Sequence, residues 1–228
     1  MHTYKNVSKN STDLRIRTLQ QHDLAGVAEL ATLVHGAGYT EPQQLASWVT
    51  LGTKAGYCAC LLAEVNNQIV AYRISFAPGQ WQTDLWCSVA LWPVPLEKMA
   101  YFKSVAVHPD WQGQGIGQRL LQNSIQALKQ QGATAGLAHL WRESPNNSAV
   151  RYFSKAGGRL LQIHPNRWQH LSADGYLCPR CGAVCCCSAE SLLWSSLCVL
   201  SFCPGHLVPP LPPVLMPPSP ALPCPPSP

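Results

Sequence analysis

The chain has 228 residues, 46% of them hydrophobic, which is enough for one sizeable domain with a packed core and for some additional material. Its formal net charge of +5 comes from 16 Lys and Arg against 11 Asp and Glu, spread thinly and without the basic stripe typical of nucleic-acid-binding proteins. The composition therefore argues against a nucleic-acid partner and favours a small ligand.

Neither end of the chain predicts export or insertion into a membrane. Residues 1–19 are polar and lack the apolar core and the small-residue cleavage site of a secretory signal. The apolar stretch at residues 191–203 is only thirteen residues long, which is too short to span a bilayer. We therefore expect a cytoplasmic protein with no membrane partner.

The first part of the chain predicts a strand, two helices and a hairpin. Apolar and polar residues alternate over residues 14–19, which is the period of a half-buried strand. Asp23 is placed to cap a first helix, and Thr40 with Gln43 resembles the capping box of a second. Two apolar runs on either side of an Asn-Asn-Gln turn predict a hairpin over residues 58–76.

The following part predicts strands and helices in alternation. Residues 78–99 are expected to form a Pro- and Trp-containing loop. After this loop we expect a strand at residues 100–107, a helix from 116 to near 132, a strand at 134–141, a helix at 146–156 and a strand at 159–164. The complete order is β-α-α-β-β-β-α-β-α-β, so the fold class is α/β with a mixed sheet.

Three glycines, Gly113, Gly115 and Gly117, stand between the strand at 100–107 and the next helix. A helix that begins directly after a strand presents free backbone N–H groups and the positive end of its dipole, which together bind phosphate. No acidic residue lies at positions 111–131 to repel an anion. The alternative is a tight turn in which glycine is needed only because the backbone adopts positive φ angles. Neither a dinucleotide fingerprint nor a Walker loop fits this spacing.

The loop instead matches the pattern Q-x-x-G-x-G at Gln112, Gly115 and Gly117. Here the sequence resembles the GNAT (GCN-five-related) N-acetyltransferase superfamily, over residues 12–165. The resemblance implies a GNAT-like acyl-CoA transferase fold, with a splayed central sheet and helices on both faces, that transfers an acetyl group from acetyl-CoA to an amine acceptor. The alternative is a GNAT-like module that binds CoA for regulation or interaction, with little turnover.

The resemblance also implies a binding site for acetyl-CoA. In this family the pantetheine arm enters an opening between two central strands, here the strand that ends at Val107 and the strand that begins near Thr134, and it bonds to the strand backbone as an added strand does. The amides of the glycine loop would wrap the pyrophosphate, and Asn146 with Ala149 matches a second motif. The implied cofactor-binding residues are Val105, Ala106, Val107, Gln112, Gly113, Gln114, Gly115, Ile116, Gly117, Gln118 and Asn146.

The catalytic residues match the family pattern less well. The family often has a tyrosine four residues after the motif alanine, but this chain has Phe153 there and Tyr152 one position earlier. Tyr152 therefore either protonates the CoA thiolate or packs as an ordinary aromatic residue. Glu97 is either the general base or an exposed loop carboxylate. We expect structural roles for His108 and His139.

The loop at residues 78–99 bears on the choice of acceptor. It contains Trp81, Trp86 and Trp92, which either line the acceptor pocket or cover the core. It contains only two carboxylates, so a primary amine with an apolar portion is the acceptor class that fits.

Eight of the 11 cysteines lie at or after Cys178. Cys178 and Cys181 have C-x-x-C spacing, and together with Cys185 and Cys187 they supply four thiolates, which either hold a structural zinc ion or remain unligated. Beyond them, 12 of the 20 prolines lie between residues 204 and 228, which is typical of a disordered tail.

We therefore expect three parts in the chain. They are a GNAT-type domain at residues 1–172, a Cys-rich zinc knuckle at 173–190 and a Pro-rich disordered tail at 191–228. A homodimer is also expected.

Overall fold

Strands rich in buried residues alternate with amphipathic helices along the chain, which confirms the α/β class. The structure, a computed structural model, describes residues 14–182 and 184–196. The helices are α1 (Leu24–His35), α2 (Pro42–Leu51), α3 (Ile116–Gln130) and α4 (Ser148–Lys155). The strands are β1 (Arg15–Thr18), β2 (Thr53–Lys54), β3 (Tyr57–Cys58), β4 (Leu61–Val65), β5 (Gln68–Phe76), β6 (Met99–Val107), β7 (Ala135–Trp141), β8 (Arg159–His164) and β9 (Ala189–Ser195).

Seven of these strands form one mixed sheet in the order β1-β4-β5-β6-β7-β9-β8, and β2 and β3 pair separately. Every neighbouring pair in the large sheet is antiparallel except β6 and β7, which are parallel. A parallel pair needs a crossover connection, and α3 provides it. The ends of β6 and β7, and the loops that follow them, therefore lie at the same edge of the sheet.

Helices cover both faces of the sheet. On one face α1 and α2 pack over a core that includes Leu45, Tyr72 and Met99, all fully buried. On the other face α3 and α4 pack over a second core that includes Phe102 and Phe153, whose ring centroids are 5.1 Å apart. Fold class and helix placement thus agree with the expectation from sequence.

β6 and β7 stay paired for only part of their length. Met99 to Phe102 pair with Ala135 to Ala138, and beyond Phe102 no further residue of β6 pairs with β7. A bulge lies at the same point, because Ser75 of β5 pairs with Phe102 and Ile74 pairs with Ser104, which leaves Lys103 out of the ladder. The two central strands therefore diverge after Phe102, and the sheet is splayed as expected.

The last strand corrects the expected domain boundaries. The boundary expected between residues 190 and 191 falls inside β9, which lies between β7 and β8 in the sheet. The tail expected at 191–228 therefore does not begin at residue 191, and the Cys-rich segment is a connection between two strands. A strand buried on both faces reads as a continuous apolar run, so its sequence lacks the alternation that marks a strand. Residues 197–228 lie outside the described residues.

The two expected helix caps differ in outcome. Asp23 is the N-cap residue of α1 as expected, but its carboxylate makes no cap bond to the helix and instead accepts hydrogen bonds from the backbone N–H of Gln20 and from Arg17. The N-cap of α2 is Glu41, and the buried hydroxyl of Thr40 has no hydrogen-bond partner among the described residues. Pro42 at the first helical position explains the shift, since proline favours this position.

Over residues 14–182 and 184–196, no helix combines the length and the apolar character needed to cross a membrane.

Candidate active site

The divergence of β6 and β7 leaves one edge of β6 open. On the β5 side, Val105 pairs with Arg73 and Val107 pairs with Ala71. On the β7 side, the backbone from Lys103 to Val107 has no strand partner in the part of the chain that the structure describes. The side chain of Val107 packs against the α3 face of the sheet. These residues can thus act as core residues with their side chains and as a binding edge with their backbone.

The glycine loop lies directly beyond this open edge. Gly113 and Gly115 have φ angles of 78° and 75°, a left-handed conformation that favours glycine, and no atom lies within 4 Å of where a Cβ would stand on either. The first hydrogen bond of α3 runs from the Arg119 N–H to the Gly115 carbonyl at 3.1 Å, so the amides of the preceding first-turn residues remain available. The loop therefore has a left-handed backbone that glycine adopts without strain, and it is open to a ligand.

Gln112 has a structural role in this loop. Its side-chain Nε2 donates to the carbonyl oxygen of Val107 at 3.1 Å, which ties the loop to the end of β6. Asn146 lies in the loop after β7, at the same edge of the sheet, with a φ angle of 54° and an exposed side chain. The buried side-chain oxygen of the next residue, Asn147, has no hydrogen-bond partner among the described residues.

The two aromatic residues of α4 point to different environments. Phe153 is 1% exposed and packs edge-on against Phe102 in the core. Tyr152 is only partly buried, and its hydroxyl accepts a hydrogen bond of 2.7 Å from Nη1 of Arg73 on β5. Tyr152, one position before the family position, therefore places its hydroxyl next to Arg73. Phe153, at the family position, is a core residue.

Glu97 is not brought to this site. It lies in a short 3₁₀ turn, Leu96–Lys98, directly before β6, and its side chain is exposed. This is the end of β6 that stays paired with β7, several residues away from the divergence after Phe102. The geometry therefore supports the alternative that Glu97 is an exposed loop carboxylate and not the general base.

On the α1 and α2 face, the opening is lined by a lysine and aromatic residues. Nζ of Lys103 lies 4.9 Å from the ring centroid of Trp48. Burial lowers the pKa of Lys103 to about 8, and the nearby charge of Arg167 acts in the same direction. A minority of this amine, but far more than for an ordinary lysine, is therefore neutral near physiological pH and able to accept a proton.

His139 has the structural role expected for it. Its Nδ1 is 2.9 Å from the hydroxyl of Tyr101, and its Nε2 is 2.9 Å from the carbonyl oxygen of Trp86. Burial lowers the pKa of His139 to about 4, so the ring is neutral, donates to the carbonyl and accepts from the tyrosine. This chain of hydrogen bonds fixes Trp86 and Tyr101 beside the opening. His108 likewise has a structural role, since its Nδ1 accepts from the backbone N–H of Asp110.

Two tryptophans of the loop before β6 lie in different environments. The indole N–H of Trp81 donates to the Met99 carbonyl at 2.8 Å, and Trp81 is buried, so it covers the core. Trp86 lies under the guanidinium of Arg167, whose Cζ is 5.4 Å from its ring centroid. Arg167 also forms a 2.7 Å ion pair with Asp84.

The four cysteines named from sequence form one cluster. The Sγ atoms of Cys178, Cys181, Cys185 and Cys187 all lie within 4.8 Å of one another. Sγ of Cys187 is 3.8 Å from that of Cys178 and 3.5 Å from that of Cys181. A tetrahedral zinc site with Zn–S bonds of about 2.3 Å has sulfur atoms about 3.8 Å apart, so the cluster fits a zinc ion.

The segment that carries the cysteines also contacts the connection between α1 and α2. The hydroxyl of Tyr176 donates to the His35 carbonyl at 3.0 Å, and the Leu177 N–H donates to the Ala37 carbonyl at 3.3 Å. The β8–β9 connection is thereby held against the helices that cover the Lys103 side of the opening.

Sequence reasoning missed Arg73 and Lys103. In each case the only signal is a single charged residue inside a strand that is otherwise mostly apolar. Such a residue is costly to bury and is often functional, but the sequence does not show which groups surround it.

A family model described as "Acetyltransferase (GNAT) family" matches residues 25–158. A search of curated proteins finds no significant match.

Solved structures share the fold at low sequence identity. The acetyltransferase YncA from Salmonella typhimurium, solved with acetyl-CoA, is 18% identical with a TM-score of 0.58, over 81% of this chain and 94% of that one. The ribosomal-protein-S18-alanine N-acetyltransferase from Escherichia coli is 19% identical with a TM-score of 0.55, over 80% and 93%. Arabidopsis thaliana Naa50, in complex with the bisubstrate analogue CoA-Ac-MVNAL, is 15% identical with a TM-score of 0.55, over 81% and 99%.

Proposed function

The chain belongs to the acetyltransferase (GNAT) family, and from this premise we propose that it transfers an acetyl group from acetyl-CoA to a primary amine of a small molecule or a protein. The observation that carries the proposal is the open edge of β6 from Lys103 to Val107, directly beside the glycine-lined start of α3. An anion-binding helix end next to an unpaired strand edge suits a ligand with a pyrophosphate and a long amide-containing arm.

The acetyl-CoA contacts divide between these two features. The backbone of Val105, Ala106 and Val107 pairs with the pantetheine arm. The amides of the glycine loop bind the pyrophosphate, and Asn146 lies at the same edge. The full set is Val105, Ala106, Val107, Gln112, Gly113, Gln114, Gly115, Ile116, Gly117, Gln118 and Asn146, in which Gln112 contributes mainly by shaping the loop.

Acetyl transfer needs a neutral amine, a donor to the developing oxyanion and a proton for the departing thiolate. Lys103 removes the proton from the acceptor amine, because its own amine has a lowered pKa and lies on the acceptor side of the opening. The backbone N–H of Lys103, which the bulge frees from the ladder, donates to the oxyanion. Tyr152 protonates the thiolate from the opposite face of the sheet.

The decisive experiment measures thiol release and acetylated product, by mass spectrometry, with a panel of small amines and short peptides with free N-termini. Acetyl-CoA-dependent formation of an N-acetyl product is expected for at least one acceptor. If the protein binds CoA but no acceptor gives turnover above the rate in its absence, the alternative of a CoA-binding regulatory or interaction module holds instead.

We also propose that the four cysteines hold one structural zinc ion. The support is the spacing of their Sγ atoms and the burial of three of the four residues. Protein purified without a metal-affinity tag should contain about one equivalent of zinc, which the Cys178→Ser, Cys181→Ser double variant should lose. Cys58→Ser, outside the cluster, is the control and should retain the metal. Metal-free wild-type protein under reducing conditions would refute this site.

Two further proposals concern the setting in which the protein works. A reducing compartment, the cytoplasm, suits four thiols that must stay reduced to bind zinc.

A homodimer is favoured by β8, the outer strand of the sheet, where Leu160 is 56% and Ile163 is 36% exposed. Sedimentation should find a dimer that Leu160→Glu converts to a monomer, and a wild-type monomer at every concentration would exclude it.

A further inference from the structure

Arg73 is a fully buried cation with no ionic partner. It is 1% exposed, and no carboxylate forms a salt bridge with it among the residues that the structure describes. Its Nε has no hydrogen-bond partner there either. Burying an unpaired charge is costly, and such charges are normally paired or solvated. The arrangement suggests that an anion forms nearby in the working protein.

The position of the guanidinium identifies where that anion forms. Its Cζ lies 4.8 Å from the ring centroid of Phe102, the last β6 residue that pairs with β7. Its Nη1 donates to the hydroxyl of Tyr152 at 2.7 Å. Arg73 itself pairs with Val105, on the open part of β6. The guanidinium thus lies beneath the point where the two strands separate.

The direction of this hydrogen bond matters for the chemistry. Because arginine can only donate, the phenol oxygen of Tyr152 is the acceptor, and its own hydrogen is free to point elsewhere. A tyrosine held in this way can donate to an atom in the opening, and the adjacent positive charge stabilises a phenolate if that proton leaves.

We propose that Arg73 is a positioning residue for acetyl transfer, which orients the hydroxyl of Tyr152 toward the sulfur of CoA and holds the negative charge that forms there. The inference rests on the proposed acetyltransferase function. The acceptor nitrogen gives its proton to Lys103 and forms a bond to the acetyl carbon, and the C–S bond breaks with its electron pair going to sulfur. Sulfur takes the phenol proton, and the phenolate stays beside Arg73 until water returns a proton to it.

The kinetic test compares Arg73→Met, Arg73→Lys, Tyr152→Phe and the Arg73→Met, Tyr152→Phe double variant. If the two residues act as one unit, each of the Met and Phe variants lowers kcat ten- to a hundredfold, the double variant is no slower than the slower single variant, and KM for acetyl-CoA stays within threefold. Arg73→Lys, which keeps the charge, should recover part of kcat. Effects that multiply in the double variant, or a kcat of Arg73→Met within twofold of wild type, overturn the proposal.

Arg17→Gln serves as a matched control for folding. Arg17 on β1 also lies in a polar contact, with ion pairs of 2.7 Å to Asp23 and 2.9 Å to Glu64, but it is remote from the opening. This variant should lose thermal stability and keep kcat. If Arg73→Met loses kcat only because a smaller fraction of the protein is folded, and its folded fraction keeps the wild-type rate as in this control, the role of Arg73 is structural and the proposal fails.

A second measurement uses wild-type protein and does not depend on a variant that folds. The thiol of bound CoA is titrated by the ultraviolet absorption of its thiolate, with desulfo-CoA as the blank. Bound CoA should form thiolate at least one pH unit lower than free CoA, and Arg73→Lys should keep most of this shift. Bound and free CoA that titrate together would overturn the proposal, even where acetyl transfer is active. Loss of CoA binding altogether would instead contradict the proposed function.

Discussion

Gly115 and Gly132 form a matched pair at the two ends of α3. Their φ angles are 75° and 90°, and no atom lies within 4 Å of where a Cβ would stand on either. A side chain at either position therefore meets the same backbone strain and open space. Only Gly115 borders the amides assigned to the pyrophosphate.

Gly115→Glu should weaken CoA binding at least tenfold, which corresponds to about 1.4 kcal/mol, because a side chain and a negative charge enter the phosphate site. Gly132→Glu should cost similar stability with CoA affinity unchanged. Titration calorimetry with CoA, alongside thermal melting of both variants, makes this comparison. Equal affinity in two folded variants would show that the glycine loop does not bind CoA.

Lys103 should set the pH dependence of turnover. A general base works when deprotonated, and with a pKa of about 8 its neutral fraction grows as pH rises toward 8 and levels off above it. With an acceptor whose amine is already neutral above pH 6, kcat/KM should therefore rise from pH 6 to about 8.5. Lys103→Met should lower kcat roughly ten- to a hundredfold and remove this rise.

Lys129→Met is the control for the Lys103 variant. Nζ of Lys129 also lies over a tryptophan ring, at 5.8 Å from the centroid of Trp194, but at the far end of α3 from the glycine loop. It should keep both the rate and the pH profile. A Lys103→Met enzyme with the wild-type profile would assign the proton transfer to another group or to water.

Residue identity alone predicted the glycine loop because its spacing is specific and local. It left open whether Tyr152 takes part in the reaction or packs as an ordinary aromatic residue, since this depends on the rotation of the helix against the sheet. Phe153 turned out to face the core and Tyr152 to face Arg73. For Glu97 the sequence showed only nearness to β6, and the structure places it, exposed, at the end of that strand away from the divergence.

At the scale of whole elements, the four helices and the strands of the large sheet up to β8 follow from patterns in the sequence, whereas the short pair of β2 and β3 was not predicted. Where a strand has one face against the core and one nearer solvent, as in β6, burial alternates along it and the pattern is readable. β9 has Leu192, Leu193 and Trp194 all buried, so nothing in its pattern distinguishes it from an apolar tail. The strands that pair with β9, which are β7 and β8, can be identified only from the three-dimensional structure.

Truncation should show the importance of β9. A chain that ends at Ser188 lacks the strand that pairs with β7 over seven positions and with β8 over five, so it should not fold cooperatively. A chain that ends at Ser196, the last described residue, should melt as the full chain does. Circular dichroism on heating distinguishes the two, and a folded, CoA-binding chain ending at Ser188 would contradict the assigned topology.

At the scale of the whole molecule, the Cys cluster connects distant parts of the chain. Its segment joins β8 to β9 and is bonded to the α1–α2 connection through Tyr176 and Leu177, on the side of the sheet assigned to the acceptor. The features proposed to bind acetyl-CoA lie elsewhere, on β6 and at the start of α3.

Removal of zinc by a chelator should therefore raise KM for the acceptor severalfold and leave CoA affinity within about twofold. Steady-state kinetics with each substrate varied in turn, before and after chelation, measures the two effects. Readdition of zinc should restore the acceptor KM. Equal loss of both affinities would indicate general unfolding instead of a local effect on the acceptor side.

The late position of β9 in the chain has a consequence for biosynthesis. During translation, β7 is complete at residue 141, but its neighbour in the finished sheet ends at residue 195, which is 195 − 141 = 54 residues later. At about 5–20 residues per second, roughly 3–11 s pass in which the nascent chain exposes an unpaired, apolar strand edge at its centre. During this interval a chaperone would shield the exposed edge of β7. A synthetic peptide with the β9 sequence would bind the same edge and compete with the chain's own last strand.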